Sequence, residues 1–238
     1  MKLDILAFGA HPDDTELGCS GTIIKHVKLG KKVGVVDLTE GQLGSRGSVD
    51  IRYKEASEAA KIQGLSIRDN LKLEDGWFEH NKESILLIVE KIRQYKPEIV
   101  LANAINDRHP DHARASRLVS EACFYSGLVK VETKFNGVKQ NEWRPKAVYN
   151  YIQDYHIEPS FVIDISEEWN TKVKAILAFS SQFYNPLSKE KETAISKKSF
   201  IDTLEGKARL FGRPIGGDYA EGFTVDRYFG VDSLFNLI

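Results

Sequence analysis

Apolar runs alternate with amphipathic stretches along the first half of the chain. The continuous apolar runs predict strands that are buried on both faces. These runs lie at residues 3–9, 31–39 and 96–103. The stretches with apolar residues at helical spacing predict helices. These helices are expected at about 15–29, 49–64, 82–95 and 109–125. Gly64 is the residue expected to end the second helix, because glycine readily adopts the left-handed conformation found there.

The pattern is weaker after Gly127, where two further strands and two helices are expected. The strands correspond to "KAVYNYIQ" (146–153) and "SFVIDIS" (160–166), and the helices to about 167–179 and 199–210. The glycine-rich stretch 212–223 is expected to be a loop.

This order of elements predicts an α/β fold. Apolar strands that alternate with helices favour a mostly parallel sheet covered by helices on both faces. Right-handed crossovers then give a doubly wound, Rossmann-like sheet. The chain has 238 residues, which suits one domain, and a single domain over 1–238 is expected.

Composition narrows the class of protein. The chain has 33 Lys and Arg against 34 Asp and Glu, a formal net charge of −1. It lacks the basic excess of a nucleic-acid-binding protein. No apolar run is long enough for a signal peptide or a membrane span, and the two cysteines suit a reducing compartment. A cytoplasmic protein that binds no membrane is therefore expected.

Two polar clusters follow predicted strands. "AHPDD" (10–14) follows the first strand, and "NDRHPDH" (106–112) follows the strand at 96–103. Ligands of open α/β sheets bind beyond the carboxyl ends of the strands, near the point where the strand order reverses. We therefore expect the two clusters to meet in space.

The clusters contain the side chains that zinc prefers. A catalytic zinc is bound by three imidazole or carboxylate ligands and a water. The candidates here are His11, Asp13, Asp14, His109, Asp111 and His112. Each cluster alone also fits the start of a helix, where proline and aspartate are common. Three of the six histidines fall in these two segments, which favours a metal site.

These motifs resemble those of the LmbE-like (PIG-L-like) zinc-dependent de-N-acetylases. "GAHPDDTELGCSGT" (9–22) and "DRHPDH" (107–112) are similar to the two main motifs of the family. Weaker similarities occur at 38–60, "SSQFY" (180–184) and "AEGF" (220–223). Within the family, the chain looks most similar to the bacillithiol-biosynthesis deacetylases, which remove acetate from N-acetylglucosaminyl malate.

The resemblance implies a role for several residues. His11, Asp14 and His112 would bind Zn²⁺, with Fe²⁺ as a possible replacement. Asp13 would be the general base and His109 the protonated partner in the transition state, and either could protonate the leaving amine. Asp111 would orient a histidine or stabilise its protonated form. The alternative is that it acts only as a carboxylate at a helix start.

Substrate contacts are less specified by the sequence. The malate carboxylates would be bound by arginine side chains that donate two parallel hydrogen bonds. Arg52 is at a position that matches the family, although it also fits a helix-surface residue near Glu55. Arg46 is a second candidate, and Gln182 and Tyr184 are expected on the pocket wall. Gln42 replaces the glutamate of many relatives.

Two other classes of protein fit these motifs less well. A dinucleotide-dependent oxidoreductase has a glycine fingerprint after its first strand, to approach the cofactor's pyrophosphate. This chain has two carboxylates at that position, which excludes an oxidoreductase of this class. A non-catalytic zinc- or sugar-binding protein is disfavoured because Asp13 is present. The stronger alternative keeps the chemistry and changes the substrate to another N-acetylglucosamine derivative, such as a chitooligosaccharide, or to a thiol-conjugate amide. The resemblance also implies a homo-oligomer, either a trimer or a hexamer.

Overall fold

The computed structural model describes residues 1–236, which form helices on both faces of a central sheet. The strands are β1 (Ile5–Gly9), β2 (Val33–Thr39), β3 (Ile67–Leu73), β4 (Ile99–Ala102), β5 (Lys134–Phe135), β6 (Val138–Lys139), β7 (Ala147–Tyr151), β8 (Phe161–Asp164) and β9 (Ala220–Val225). The helices are α1 (Asp14–Lys28), α2 (Val49–Gln63), α3 (Lys82–Tyr95), α4 (Pro110–Ser126), α5 (Trp169–Leu177) and α6 (Lys198–Gly212).

The main sheet confirms the predicted fold class. It has seven strands in the order β3-β2-β1-β4-β7-β9-β8. The strands from β3 to β7 are parallel, whereas β9 pairs antiparallel with both β7 and β8. The molecule is therefore a single α/β domain with a mostly parallel sheet.

Alternation along β1 explains why both faces are covered. Leu6 and Phe8 belong to a core that includes residues of α3 and α4. Ile5 and Ala7 point to the opposite face, where Cys19 and Ile23 of α1 pack. A strand with apolar side chains on both faces is stable only between two layers of helices.

The helix ends follow their capping residues. The side chain of Ser48 accepts a hydrogen bond from Ile51 N at the start of α2, and Asn81 does the same from Ser84 N for α3. Gly64 has φ 70°, and so it ends α2 as predicted.

The strand order reverses between β1 and β4. From β1 the chain runs through α1 to β2 and then β3 on one side of the sheet. From β4 it runs through α4 to β7 on the other side. The loops after β1 and β4 therefore lie at the switch point of the fold.

The last part of the chain differs from the sequence prediction. The stretch 212–223 is a loop only in part, because residues 220–225 form the buried strand β9. A Cβ on Gly222 would lie 2.9 Å from the Phe211 ring, so glycine here allows close packing. Neither the edge strand β3 nor the β5–β6 hairpin was predicted. The helices within residues 1–236 are each too short or too polar to span a bilayer.

Candidate active site

The chain turns sharply between β1 and α1. A Cβ on Gly9 would lie 3.0 Å from the carbonyl oxygen of His11, so the turn favours a residue without a side chain. Asp13 precedes α1 with φ 116°, a conformation that is costly for a residue other than glycine. This strained backbone lies beside His11 and Asp14.

Asp14 connects three strand ends. Its Oδ2 accepts hydrogen bonds from His11 N (2.9 Å) and from Asn103 Nδ2 (3.0 Å), and its Oδ1 accepts one from Gln153 Nε2 (2.7 Å). The same Oδ1 lies 3.1 Å from Nε2 of His112. Burial alone would raise the pKa of Asp14, but His112 and His11 lower it well below its ordinary value. Asp14 is therefore a buried carboxylate anion.

Three imidazoles meet beside this carboxylate. The ring centroids of His11 and His109 are 4.6 Å apart, those of His11 and His112 are 5.6 Å apart, and those of His109 and His112 are 5.3 Å apart. The ligand atoms of the three side chains lie within 4.8 Å of one another. The two polar clusters of the sequence thus meet, as their positions after β1 and β4 predict.

A carboxylate partner orients two of these histidines. Nδ1 of His112 lies 2.7 Å from Oδ2 of Asp107. Burial lowers the pKa of His112, but Asp14 and Asp107 outweigh this effect and raise it to about 9. Nε2 of His11 lies 3.0 Å from Asp75 Oδ1 and 3.2 Å from Asp111 Oδ2.

His109 has a different environment from the other two histidines. Its Nδ1 accepts a hydrogen bond from the backbone N–H of Asp111 (3.3 Å) at the start of α4. Burial and the positive charges of His11 and His112 lower its pKa. A neutral His109 with Nδ1 as acceptor carries its proton on Nε2 and can donate it in a hydrogen bond.

Asp13 faces an arginine. Nη2 of Arg52 lies 3.0 Å from Oδ2 of Asp13 and also donates to the carbonyl of Pro12. Burial raises the pKa of Asp13 to about 7, and Arg52 partly opposes this. A Cβ on Gly41 would lie 2.3 Å from Nη1 of Arg52, so glycine at this position leaves room for the arginine. Arg52 is 5% exposed, and it is therefore not a helix-surface residue.

These side chains surround a cleft of about 270 Å³ at the switch point. The polar part of its wall includes His11, Asp13, Asp14, His109, His112, Arg52 and Asp75. Leu43, Ile195, Phe200 and Leu204 contribute apolar walls. A pocket with convergent polar groups and several perturbed pKa values is typical of an active site.

Comparisons with known proteins are consistent with this geometry. The profile of the family described as "PIG-L: GlcNAc-PI de-N-acetylase" matches residues 6–123. The diacetylchitobiose deacetylase of Thermococcus kodakarensis is 29% identical over 228 residues, which cover 92% of this chain and 81% of that protein. The uncharacterized deacetylase YaiS of Escherichia coli is 30% identical over 125 residues, which cover 50% of this chain and 67% of YaiS.

A solved structure extends the similarity to almost the whole fold. The conserved protein TT1542 from Thermus thermophilus has a TM-score of 0.85 and 33% identity, with 97% of this chain and 98% of that chain covered. This chain belongs to the PIG-L family. It is accordingly a de-N-acetylase, a hydrolase of the class that the motifs imply.

The donor set of this PIG-L deacetylase fits a metal ion. His11, His109 and His112 form one group that could bind a metal, and His11, Asp75 and Asp111 form another. Buried imidazole and carboxylate ligands are those that zinc prefers. Asp14, which the resemblance implies as a ligand, contacts both His11 and His112. The assignment of His11, Asp14 and His112 as the ligands stays a prediction.

The Asp111 carboxylate contacts a histidine, as a role in orienting one requires, and that role stays a prediction. Its side chain is fully buried, with Oδ1 2.6 Å from Nη1 of Arg114 and Oδ2 2.9 Å from Gly76 N. The histidine that its carboxylate contacts is His11, in the other motif. Its backbone, by contrast, contacts His109.

The residues predicted to bind substrate separate into two groups. Arg52 and Gln182 line the cleft of this PIG-L deacetylase, whereas Arg46 and Tyr184 are not among the described residues that line it. Arg46 donates from Nε to the carbonyl of Ser181 (2.7 Å) and from Nη2 to Oγ of Ser188 (2.8 Å). It thus anchors the segment that follows α5. Tyr184 is 43% exposed.

Three residues of the site were not identified from the sequence. Asn103 and Gln153 follow β4 and β7, and both donate to Asp14. Their place directly after apolar strands was the available signal. Asp75 follows β3. Because the residues of β3 are partly exposed, the hydrophobic pattern did not predict this strand, and Asp75 was missed with it.

Proposed function

We propose that this enzyme removes acetate from an N-acetylglucosaminyl substrate with an uncharged second group, such as diacetylchitobiose. The observation that carries this proposal is the charge of the cleft wall. Its described lining has two arginines, Arg52 and Arg108, and both are paired with aspartates. This pairing favours a neutral sugar over an anionic one.

The malate conjugate is less favoured for the same reason. The aspartates on the wall number four, namely Asp13, Asp14, Asp75 and Asp154. Two malate carboxylates would approach this acidic surface, and an aspartate already offsets the charge of each arginine on the described wall. The similarity to a diacetylchitobiose deacetylase over 92% of the chain also supports the neutral substrate.

A divalent metal, which we propose to be zinc held by His11, Asp14 and His112, would polarise the amide carbonyl and lower the pKa of water. Asp13 then removes the proton of the attacking water. Its pKa of about 7 suits a group that must accept and later return a proton near neutral pH. Arg52 holds the Asp13 carboxylate through Oδ2, which leaves Oδ1 for the reaction.

His109 stabilises the oxygen that becomes negative when water adds to the amide. Its Nε2–H is the free donor, because Nδ1 is occupied by the N–H of Asp111. Asp13 returns its proton to the sugar nitrogen, so that the bond to the acetyl carbon breaks and a neutral amine leaves. The products are a glucosamine derivative and acetic acid, which loses its proton to water and becomes acetate at neutral pH.

Acetate release tests this proposal. Purified, zinc-loaded protein is incubated with diacetylchitobiose, N-acetylglucosamine or N-acetylglucosaminyl malate, each with and without a chelator. We expect the highest kcat/KM for diacetylchitobiose and loss of turnover with chelator. Preference for the malate conjugate would refute the neutral-substrate proposal, and no acetate from any of the three would refute the function.

A further inference from the structure

An ion pair at the mouth of the cleft is not used by the chemistry described above. Nε of Arg108 donates to Oδ2 of Asp154, and both residues line the cleft. Their side chains are 46% and 32% exposed. An exposed pair of this kind contributes little to stability, and so its presence beside the reacting groups calls for another explanation.

The pair has unused hydrogen-bonding atoms of both kinds. Among the described residues, the hydrogen bonds of these side chains occupy only Nε of Arg108 and Oδ2 of Asp154. The two terminal nitrogens of Arg108 remain as donors, and Oδ1 of Asp154 remains as an acceptor. A sugar hydroxyl both donates and accepts a hydrogen bond, so the pair matches neighbouring hydroxyls on one ring.

The backbone around the pair is held rigidly. Oδ1 of Asp107 accepts hydrogen bonds from Arg108 N (2.9 Å), Asp154 N (3.1 Å) and Tyr155 N (2.7 Å), so one carboxylate joins the two segments. Nζ of Lys207 donates to the carbonyls of Gln153 and Asp154. Groups that are fixed before binding lose little conformational entropy when a ligand arrives.

The pair is also adjacent to the reaction centre. In the sequence, Arg108 lies between Asp107 and His109. Asp107 in turn contacts His112. Asp154 follows Gln153, which contacts Asp14. Consecutive Cα atoms are about 3.8 Å apart, so a group one residue outside the centre lies within reach of the next unit of a bound substrate.

We infer that Arg108 and Asp154 together form an outer subsite for the second, uncharged sugar ring of the substrate. This inference rests on the proposed function and adds the residues that determine its substrate preference. Arg108 donates to ring hydroxyl oxygens, and Asp154 accepts from a hydroxyl. Neither group takes part in the bond changes at the amide.

Steady-state kinetics of Arg108→Met and Asp154→Asn test the inference. For each variant we expect the kcat/KM ratio of diacetylchitobiose to N-acetylglucosamine to fall about tenfold, mainly through KM for the disaccharide. The matched control is Arg209→Met, which removes an exposed arginine paired with Glu205 on α6, with side chains 55% and 36% exposed. The control should keep the wild-type ratio.

The alternative results are distinguishable. An unchanged ratio in both variants, or an equal loss for both sugars, would overturn the outer subsite while acetate release by the wild type upholds the proposed function. A selective loss for N-acetylglucosaminyl malate in Arg108→Met, with a gain in Asp154→Asn, would instead assign the pair to a carboxylate and overturn the inference. Failure of the wild type to release acetate from any sugar would overturn both proposals.

Discussion

At the scale of single residues, Asp13 combines a left-handed backbone with a buried, paired carboxylate. It has a positive φ, it is 6% exposed, and its carboxylate is paired with a buried arginine. The positive φ and the burial are each costly, and Arg52 offsets part of the cost of burial. Strained or buried polar residues of this kind concentrate at functional sites. The combination supports the proposed role of Asp13 as the base.

Replacement of that base is the first test at this scale. Asp13→Asn should lower acetate release by about 10²–10⁴-fold, because the amide keeps the shape of the side chain but cannot accept the proton. Zinc content per chain should remain close to that of the wild type. Asp202→Asn, at an exposed position of α6, is the control. Near-normal turnover of the Asp13 variant would assign the base to another residue.

The pKa of His112 leads to a second prediction. Its value of about 9 lies above its ordinary value of 6.5, so the metal-free protein carries a proton on His112 at pH 7. A metal ligand must be neutral, and zinc binding must therefore release this proton. We expect the apparent zinc affinity to rise with pH up to about 9.

Calorimetric titration with zinc at pH 7 measures this release. The heat of binding should depend on the ionisation enthalpy of the buffer, with at least one proton released per metal ion. Zinc binding without proton release at pH 7 would show that His112 is already neutral or is not a ligand.

At the scale of elements, the contact between α1 and β7 determines where the site is built. A Cβ on Gly18 would lie 2.1 Å from the ring of Tyr151, whose hydroxyl donates to the carbonyl of Phe8. The helix therefore touches the strand at a position that only glycine permits. This close approach fixes the start of α1, and with it Asp14, against the ends of β1 and β7.

Two glycine substitutions test that contact. Gly18→Ala should lower the free energy of unfolding by about 1–3 kcal/mol through overpacking against Tyr151. Gly206→Ala is the matched control, because Gly206 lies within α6 with no atom within 4 Å of an added Cβ. It should raise the free energy of unfolding by about 0.5–1 kcal/mol. Urea denaturation of both variants measures the difference, and a stabilising Gly18→Ala would contradict the packing argument.

At the scale of the whole molecule, the site joins segments that are distant in sequence. His11 and Asp14 follow β1, Asn103 and His112 follow β4, and Gln153 follows β7. A ligand that binds these groups together binds only the folded chain. Metal binding should therefore stabilise the whole domain.

Thermal unfolding with and without zinc tests this coupling. At a free zinc concentration of about 100 Kd, the wild type should gain about 2.7 kcal/mol of stability, seen as a higher Tm. A chelator should remove the gain, and His11→Ala should show little of it at the same zinc concentration. An equal gain in His11→Ala would place the stabilising metal elsewhere in the chain.

Much of the fold could be predicted because its signals are local. The apolar runs of β1, β2 and β4 and the helical spacing of α3 depend only on neighbouring residues. The partly exposed edge strand β3 and the glycine-containing β9 could not be predicted in this way, since their pairing depends on distant strands. Asp75, which follows β3, was missed with it.

The sequence by itself determined the fold class, the family and the meeting of two motifs. These depend on the pattern of neighbouring residues and on the spacing of the motifs, both of which are local properties of the chain. Only the tertiary structure decided which groups pair. It placed Arg52 against Asp13, directed the Asp111 side chain to His11, and used Arg46 to hold the segment after α5. Side-chain pairing depends on distances between segments far apart in sequence, and those distances exist only after the sheet has formed.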